Sequence, residues 1–108
     1  MARRRIIEDL KGKDLKITVA GGGPTGVEVA GNLERLAKNE SGHCRIVLVA
    51  GTRLLAESTS RVRKHALKSL TSRHVQVIEG TRVAAVKDRK TELSNGDVLD
   101  NDFVLDIF

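Results

Sequence analysis

Apolar residues fall in short runs along this chain, and the polar breaks between them decide what each run becomes. Leu15–Ala20 (LKITVA) is β-branched and lies between Lys/Asp and Gly, which predicts a buried strand. From Pro24 to Lys38 the spacing changes. Val27, Ala30, Leu33 and Ala37 recur on one helical face, and Pro24 suits a first helical position because its missing N–H would be unpaired there. Glu34 and Lys38 are spaced for an i,i+4 pair. NESGH breaks the helix, and Arg45–Gly51 (RIVLVAG) predicts a second strand. Ser58, Thr59 and Ser60 are candidate N-caps for a helix over Ser60–Ser72, with Val62, Ala66, Leu67 and Leu70 as its buried stripe. Val75–Gly80 (VQVIEG) predicts a third strand.

Up to that point the order is βαβαβ, which implies a parallel sheet with right-handed crossovers. The segments TRVAAVKD, KTELSNG and DVLDND are shorter and alternating, and Asn95-Gly96 is a strong hairpin signal. They predict a three-stranded antiparallel meander. Asp102–Phe108 (DFVLDIF) then returns as a last strand to the parallel sheet. The expected fold is a Rossmann-like α/β domain of three layers over residues 15–108, preceded by an arm over residues 1–14.

Composition narrows the class. The 108 residues are enough for one core. No apolar run approaches the ~20 residues that cross a bilayer, and the start lacks the apolar stretch of a secretory signal. The lone Cys44 excludes an internal disulfide framework and fits a reducing, cytoplasmic setting. The formal charge is +5, but it is dispersed, with clusters at Arg3–Arg5, Arg61–Lys64 and Lys87–Lys90. With Phe103 and Phe108 the only aromatics, base stacking is poorly supplied. Nucleic acid is therefore not the expected partner. The basic residues of the second helix sit mostly off its apolar stripe and read as a wet face. Histidines 43, 65 and 74 are scattered, which gives no metal-site spacing, and no serine has the setting of a nucleophile elbow.

The candidate chemistry lies in VAGGGPTGVEVAGNL, residues 19–33. Gly21, Gly23 and Gly26 fit G-x-G-x-x-G between a strand and a helix, the context that gives this motif its meaning. Gly21 would permit a tight turn, Gly23 would let a pyrophosphate reach the backbone, and Gly26 would let the helix pack closely. Unpaired N–H groups and the helix dipole would hold the phosphates. The acid that accepts ribose hydroxyls in such sites belongs at the end of the second strand, where Ala50 stands. Arg53 lies close by and could meet a 2′-phosphate. The choice between NAD(H) and NADP(H) stays open on these residues.

The longer string, with TRLL, VQVIEG, TRVAAV and TELSNGDVLDNDFVL following in order, resembles the NAD(P)H-binding domain of the pyridine nucleotide–disulfide oxidoreductase superfamily. The GGGPTGVE form is most similar to type II NADH dehydrogenases and apoptosis-inducing-factor-like flavoproteins. The resemblance runs from Leu15 to Leu105. It implies a domain inserted into a flavin-binding domain, with the nicotinamide dinucleotide across the glycine loop passing hydride to FAD. By position it implies a cofactor-binding set of Gly21, Gly22, Gly23, Pro24, Thr25, Gly26, Glu28, Ala50 and Arg53. Glu28 would reach toward the nicotinamide, although by itself it reads as a solvated helix residue. Ala50 and Arg53 would face the adenosine ribose.

Two departures are visible. NADH-preferring members commonly carry an acid at or beside the position of Ala50, and the family's small flavin-touching turn is replaced by VLDIF. No second glycine fingerprint and no Cys-x-x-Cys pair occur. The expectation is thus a fragment of an FAD-dependent NAD(P)H oxidoreductase that binds dinucleotide but turns nothing over without its flavin domain. The full-length protein could sit peripherally at a membrane. Loss of the flavin domain would bare an apolar patch and favour a homo-oligomer. The alternative is a non-catalytic nucleotide-binding regulatory module.

Overall fold

The computed structural model describes residues 14–39 and 43–107. The arm expected over residues 1–14 falls outside them except for Asp14, which opens the first strand. β1 (Asp14–Ala20), α1 (Pro24–Asn39), β2 (His43–Ala50), α2 (Ser60–Ser72) and β3 (Val75–Glu79) alternate as expected. β4 (Val83–Lys87), β5 (Lys90–Leu93) and β6 (Val98–Asp100) form the antiparallel meander, and β7 (Phe103–Asp106) closes the chain. The main sheet has the order β3-β2-β1-β7, with every pairing parallel.

The period of β1 explains the layers. Leu15, Ile17 and Val19 point to one face and share a core with Ala30, Leu33 and Ala37 of α1. Thr18 points the other way, and its hydroxyl donates to Asn101 Oδ1 at 3.1 Å. The Thr91 hydroxyl, from β5, donates to the same oxygen. Asn101 therefore joins the sheet to the meander through two buried hydroxyls, whose loss inside the protein would leave an acceptor unsatisfied.

The helices follow their caps. Thr59 is the N-cap of α2, its hydroxyl accepting from Val62 N. Val62 was expected in the buried stripe but is 49% exposed. The buried side of α2 is rotated to Arg63, Ala66, Leu67 and Leu70, because Arg63 is drawn inward by polar partners described below. The expected Glu34–Lys38 pair is not among the ion pairs of the described residues. Arg35 bonds Asn32 on that surface instead.

The meander's two turns differ. Asn95-Gly96 lies in a three-residue loop closed by Leu93 N to Asp97 O at 2.8 Å, with Gly96 at φ 95°. The β4–β5 turn has only Asp88 (φ 49°) and Arg89 (φ 63°), both left-handed without a glycine. That turn carried no sequence signal.

Cys44 opens into the half-buried side of β2. Burial first, and then the nearby Asp102 carboxylate, push its thiol up to about 11. Alkylation at pH 8 is expected to run at least about tenfold slower than for a free cysteine. The fold favours the protonated thiol over the unfolded value of 9.0, so stability should decline as pH rises from 9.0 to about 11. Urea unfolding at about pH 8 and about pH 10 measures the decline, and Cys44→Ala should reduce it.

Candidate dinucleotide site

In a parallel sheet the loops leaving the strands gather at their carboxyl ends. Here they enclose a cleft of about 580 Å³. Residues Gly21–Pro24 form one wall and the chain after β2 another, with Arg82 and Val83 beyond it and Asp106 and Ile107 closing the far side. A second cleft of about 430 Å³ lies at the opposite edge, near Lys16 and Asp102.

The glycines divide by what requires them. Gly21 has φ 149°, and a Cβ there would stand 2.7 Å from Ile107 O. At Gly22 a Cβ would stand 2.5 Å from the Cβ of Ala50. A Cβ at Gly26 would overlap the Gly21 carbonyl oxygen, so α1 rests directly on the end of β1. The packing of the protein accounts for all three. Gly23 is different: it is exposed, and a Cβ there would meet nothing within 4 Å. Its bareness leaves room at the cleft wall.

The hydrogen bonds of α1 begin at Val27 N to Gly23 O, 3.1 Å. The N–H groups of Gly22, Gly23, Thr25 and Gly26 have no acceptor among the described residues. Such groups, with the positive end of the helix dipole, attract an anion. Two observations thus meet at one wall: free donors and an unfilled space.

The opposite wall is held rigidly. Leu55 N donates to Gly22 O at 2.7 Å, although Leu55 itself is strained at φ 50°. Glu79, at the end of β3, accepts from Leu54 N at 2.6 Å and pairs with Arg63 at 3.5 Å. Arg63 Nε donates to Leu54 O at 2.9 Å. Both backbone groups of fully buried Leu54 are thereby satisfied. Gly80 N reaches Thr52 O at 2.8 Å and ties the β3–β4 turn to the same loop.

Of the expected site residues, Gly21, Gly22, Gly23, Pro24 and Arg53 line the cleft. Thr25 and Glu28 are exposed on α1 outside its lining. Gly26 lies beneath the loop and Ala50 beneath Gly22, so neither presents a side chain to a ligand. Gly51 and Thr52 take the wall position expected of Ala50. Glu79, Arg63 and Arg82 were missed. The carboxyl-end rule points only to the turn that holds two of them, because Glu79 ends the third strand and Arg82 immediately precedes the fourth.

Comparison with known proteins agrees with this architecture. A family model described as pyridine nucleotide-disulphide oxidoreductase matches residues 2–107. The chain belongs to that family. A relative, the internal alternative NAD(P)H-ubiquinone oxidoreductase A1 of Arabidopsis thaliana mitochondria, is 32% identical over 99 residues. That match covers 84% of this chain and 19% of the relative, so the chain spans about a fifth of its length.

Among solved structures, the putidaredoxin reductase–putidaredoxin complex matches with a TM-score of 0.79 at 22% identity, over 97% of this chain and 25% of that one. A ferredoxin reductase from Rhodopseudomonas palustris gives 0.76 at 23% identity, over 98% and 26%. These likenesses fix the fold of this pyridine nucleotide-disulphide oxidoreductase domain. Among the described residues, no helix is long and apolar enough to cross a membrane.

Proposed function

We propose that this chain is the NAD(P)H-binding domain of a flavin-dependent NAD(P)H oxidoreductase. The observation that carries the reading is Gly23, the one fingerprint glycine the protein's own packing does not require. A pyrophosphate would fill the space beside it and accept from the N–H groups of Gly22, Gly23, Thr25 and Gly26. The residues present fit the group: Gly22 and Gly23, whose N–H groups have no acceptor among the described residues, line the cleft at the start of α1, on a wall with no carboxylate.

A bound reduced nicotinamide would supply the hydride, and FAD in a domain outside this chain would receive it. The chain's own share is binding and orientation. In this reading Gly21–Pro24 seat the pyrophosphate and Arg53 meets the adenosine ribose, while Glu28, exposed on α1 outside the cleft lining, is assigned to the nicotinamide end by the family resemblance alone. No residue here takes a catalytic part.

Titration with NADH and NADPH, followed by nicotinamide fluorescence, tests the reading. Saturable binding of at least one at submillimolar concentration is expected. Absence of binding by both at several millimolar would overturn it.

A further inference from the structure

We infer that the cleft selects the 2′-phosphorylated dinucleotide, and that Arg82 is the residue that reads the phosphate. The inference rests on the dinucleotide reading above and adds to it a preference and a residue.

The ribose of a dinucleotide on the glycine loop comes to the end of β2. At the last position of β2 the chain offers no carboxylate for ribose hydroxyls: Ala50 is fully buried, and Gly51 after it has no side chain. A guanidinium lies there instead. A Cβ at Gly51 would stand 3.0 Å from Arg82 Nε and 3.3 Å from its Cζ. The missing side chain of Gly51 is what lets Arg82 cross the strand end.

Arg82 is well rooted. Its N donates to Ser94 Oγ at 3.0 Å, and its O accepts from Ser94 N at 2.8 Å. Buried Thr81 shares the Ser94 hydroxyl, and Gly80 N ties the turn to Ala50 O and Thr52 O. The β3–β4 turn and the end of β2 are thus one frame that carries the guanidinium to the ribose position.

The charge at that frame is also uncompensated. Neither Arg82 nor Arg53 makes an ion pair or side-chain hydrogen bond among the described residues. Of the strand-end carboxylates, Glu79 is taken up by Leu54 N and Arg63, and Asp106 lines the far side of the cleft beside Ile107. Two free guanidiniums suit a phosphate, to which arginine bonds in a forked, charge-assisted geometry. The rival reader is Glu57, exposed on the same rim, which would accept ribose hydroxyls and repel a phosphate.

Calorimetric titration of the 108-residue chain with NADPH and NADH decides between them. NADPH is expected to bind at least about tenfold tighter. Arg82→Leu should weaken NADPH by about tenfold while moving NADH less than about twofold, and thermal melting should show the variant folded. 2′,5′-ADP should bind better than 3′,5′-ADP, which has the same charge with its phosphate displaced.

Equal affinity for the two dinucleotides, or tighter NADH, would overturn the inference. So would equal loss of both in Arg82→Leu, which marks a contact with the shared adenosine. If the wild-type chain binds neither dinucleotide, the function proposed above fails first, and this inference falls with it.

Discussion

Gly26→Ala is expected to cost about 3 kcal/mol or more of folding stability, at the upper end of what overpacking does. The reason is local and geometric. A Cβ at Gly26 would overlap the carbonyl oxygen of Gly21, which is backbone and has no rotamer to change. Gly21 in turn is fixed by its N–H bond to Val49 O at 3.0 Å and by the nearness of Ile107. Relief requires α1 to lift from β1, and that separates Ala30 and Leu33 from Ile17 and Val19 in the core. In a domain of this size a loss of that order should lower the melting temperature by about 15 °C or more. A melting temperature within about 2 °C of wild type would show that α1 is not seated as described.

Gly23→Val should do the opposite. No protein atom lies within 4 Å of a Cβ at that position, and the residue is exposed, so the melting temperature should stay within about 2 °C of wild type. Dinucleotide affinity should fall by about 100-fold, because the added methyls occupy the space where the pyrophosphate meets the backbone. Gly23→Ala should give a smaller loss of about tenfold. Titration of both variants beside wild type measures the series. Undiminished affinity in Gly23→Val would place the ligand elsewhere. The contrast matters more than either value: neighbouring glycines of one motif answer to different demands, one to the fold and one to the ligand.

Much of this was legible in the sequence because local and global signals agree. The strand-to-glycine-to-proline pattern at Ala20–Pro24 defined both an element boundary and a candidate site, and α2 spans the expected Ser60–Ser72. What was not legible involves partners far apart in sequence. Val62 looked apolar and helical, but its place was decided by Arg63, whose partners are Leu54 O and the Glu79 carboxylate, 16 residues on. Glu79 and Arg82 bear no local mark of a role. They matter because the parallel sheet brings the end of β3 beside the end of β2, with Ala50 paired to Glu79. The Asp88-Arg89 turn was hidden because its residues adopt a conformation that glycine and asparagine usually signal. The requirement at Gly22 was likewise invisible, since it is set by the Cβ of Ala50 across the loop.

The central claim, a nicotinamide dinucleotide held at the glycine loop, is tested most directly by amide NMR of the chain during titration with NADPH. The largest shift changes should fall on the N–H groups of Gly22, Gly23, Thr25 and Gly26, with further changes at Arg53 and Arg82. Changes centred on the cleft by Lys16 and Asp102, or no change at the glycine loop at saturating NADPH, would contradict the account.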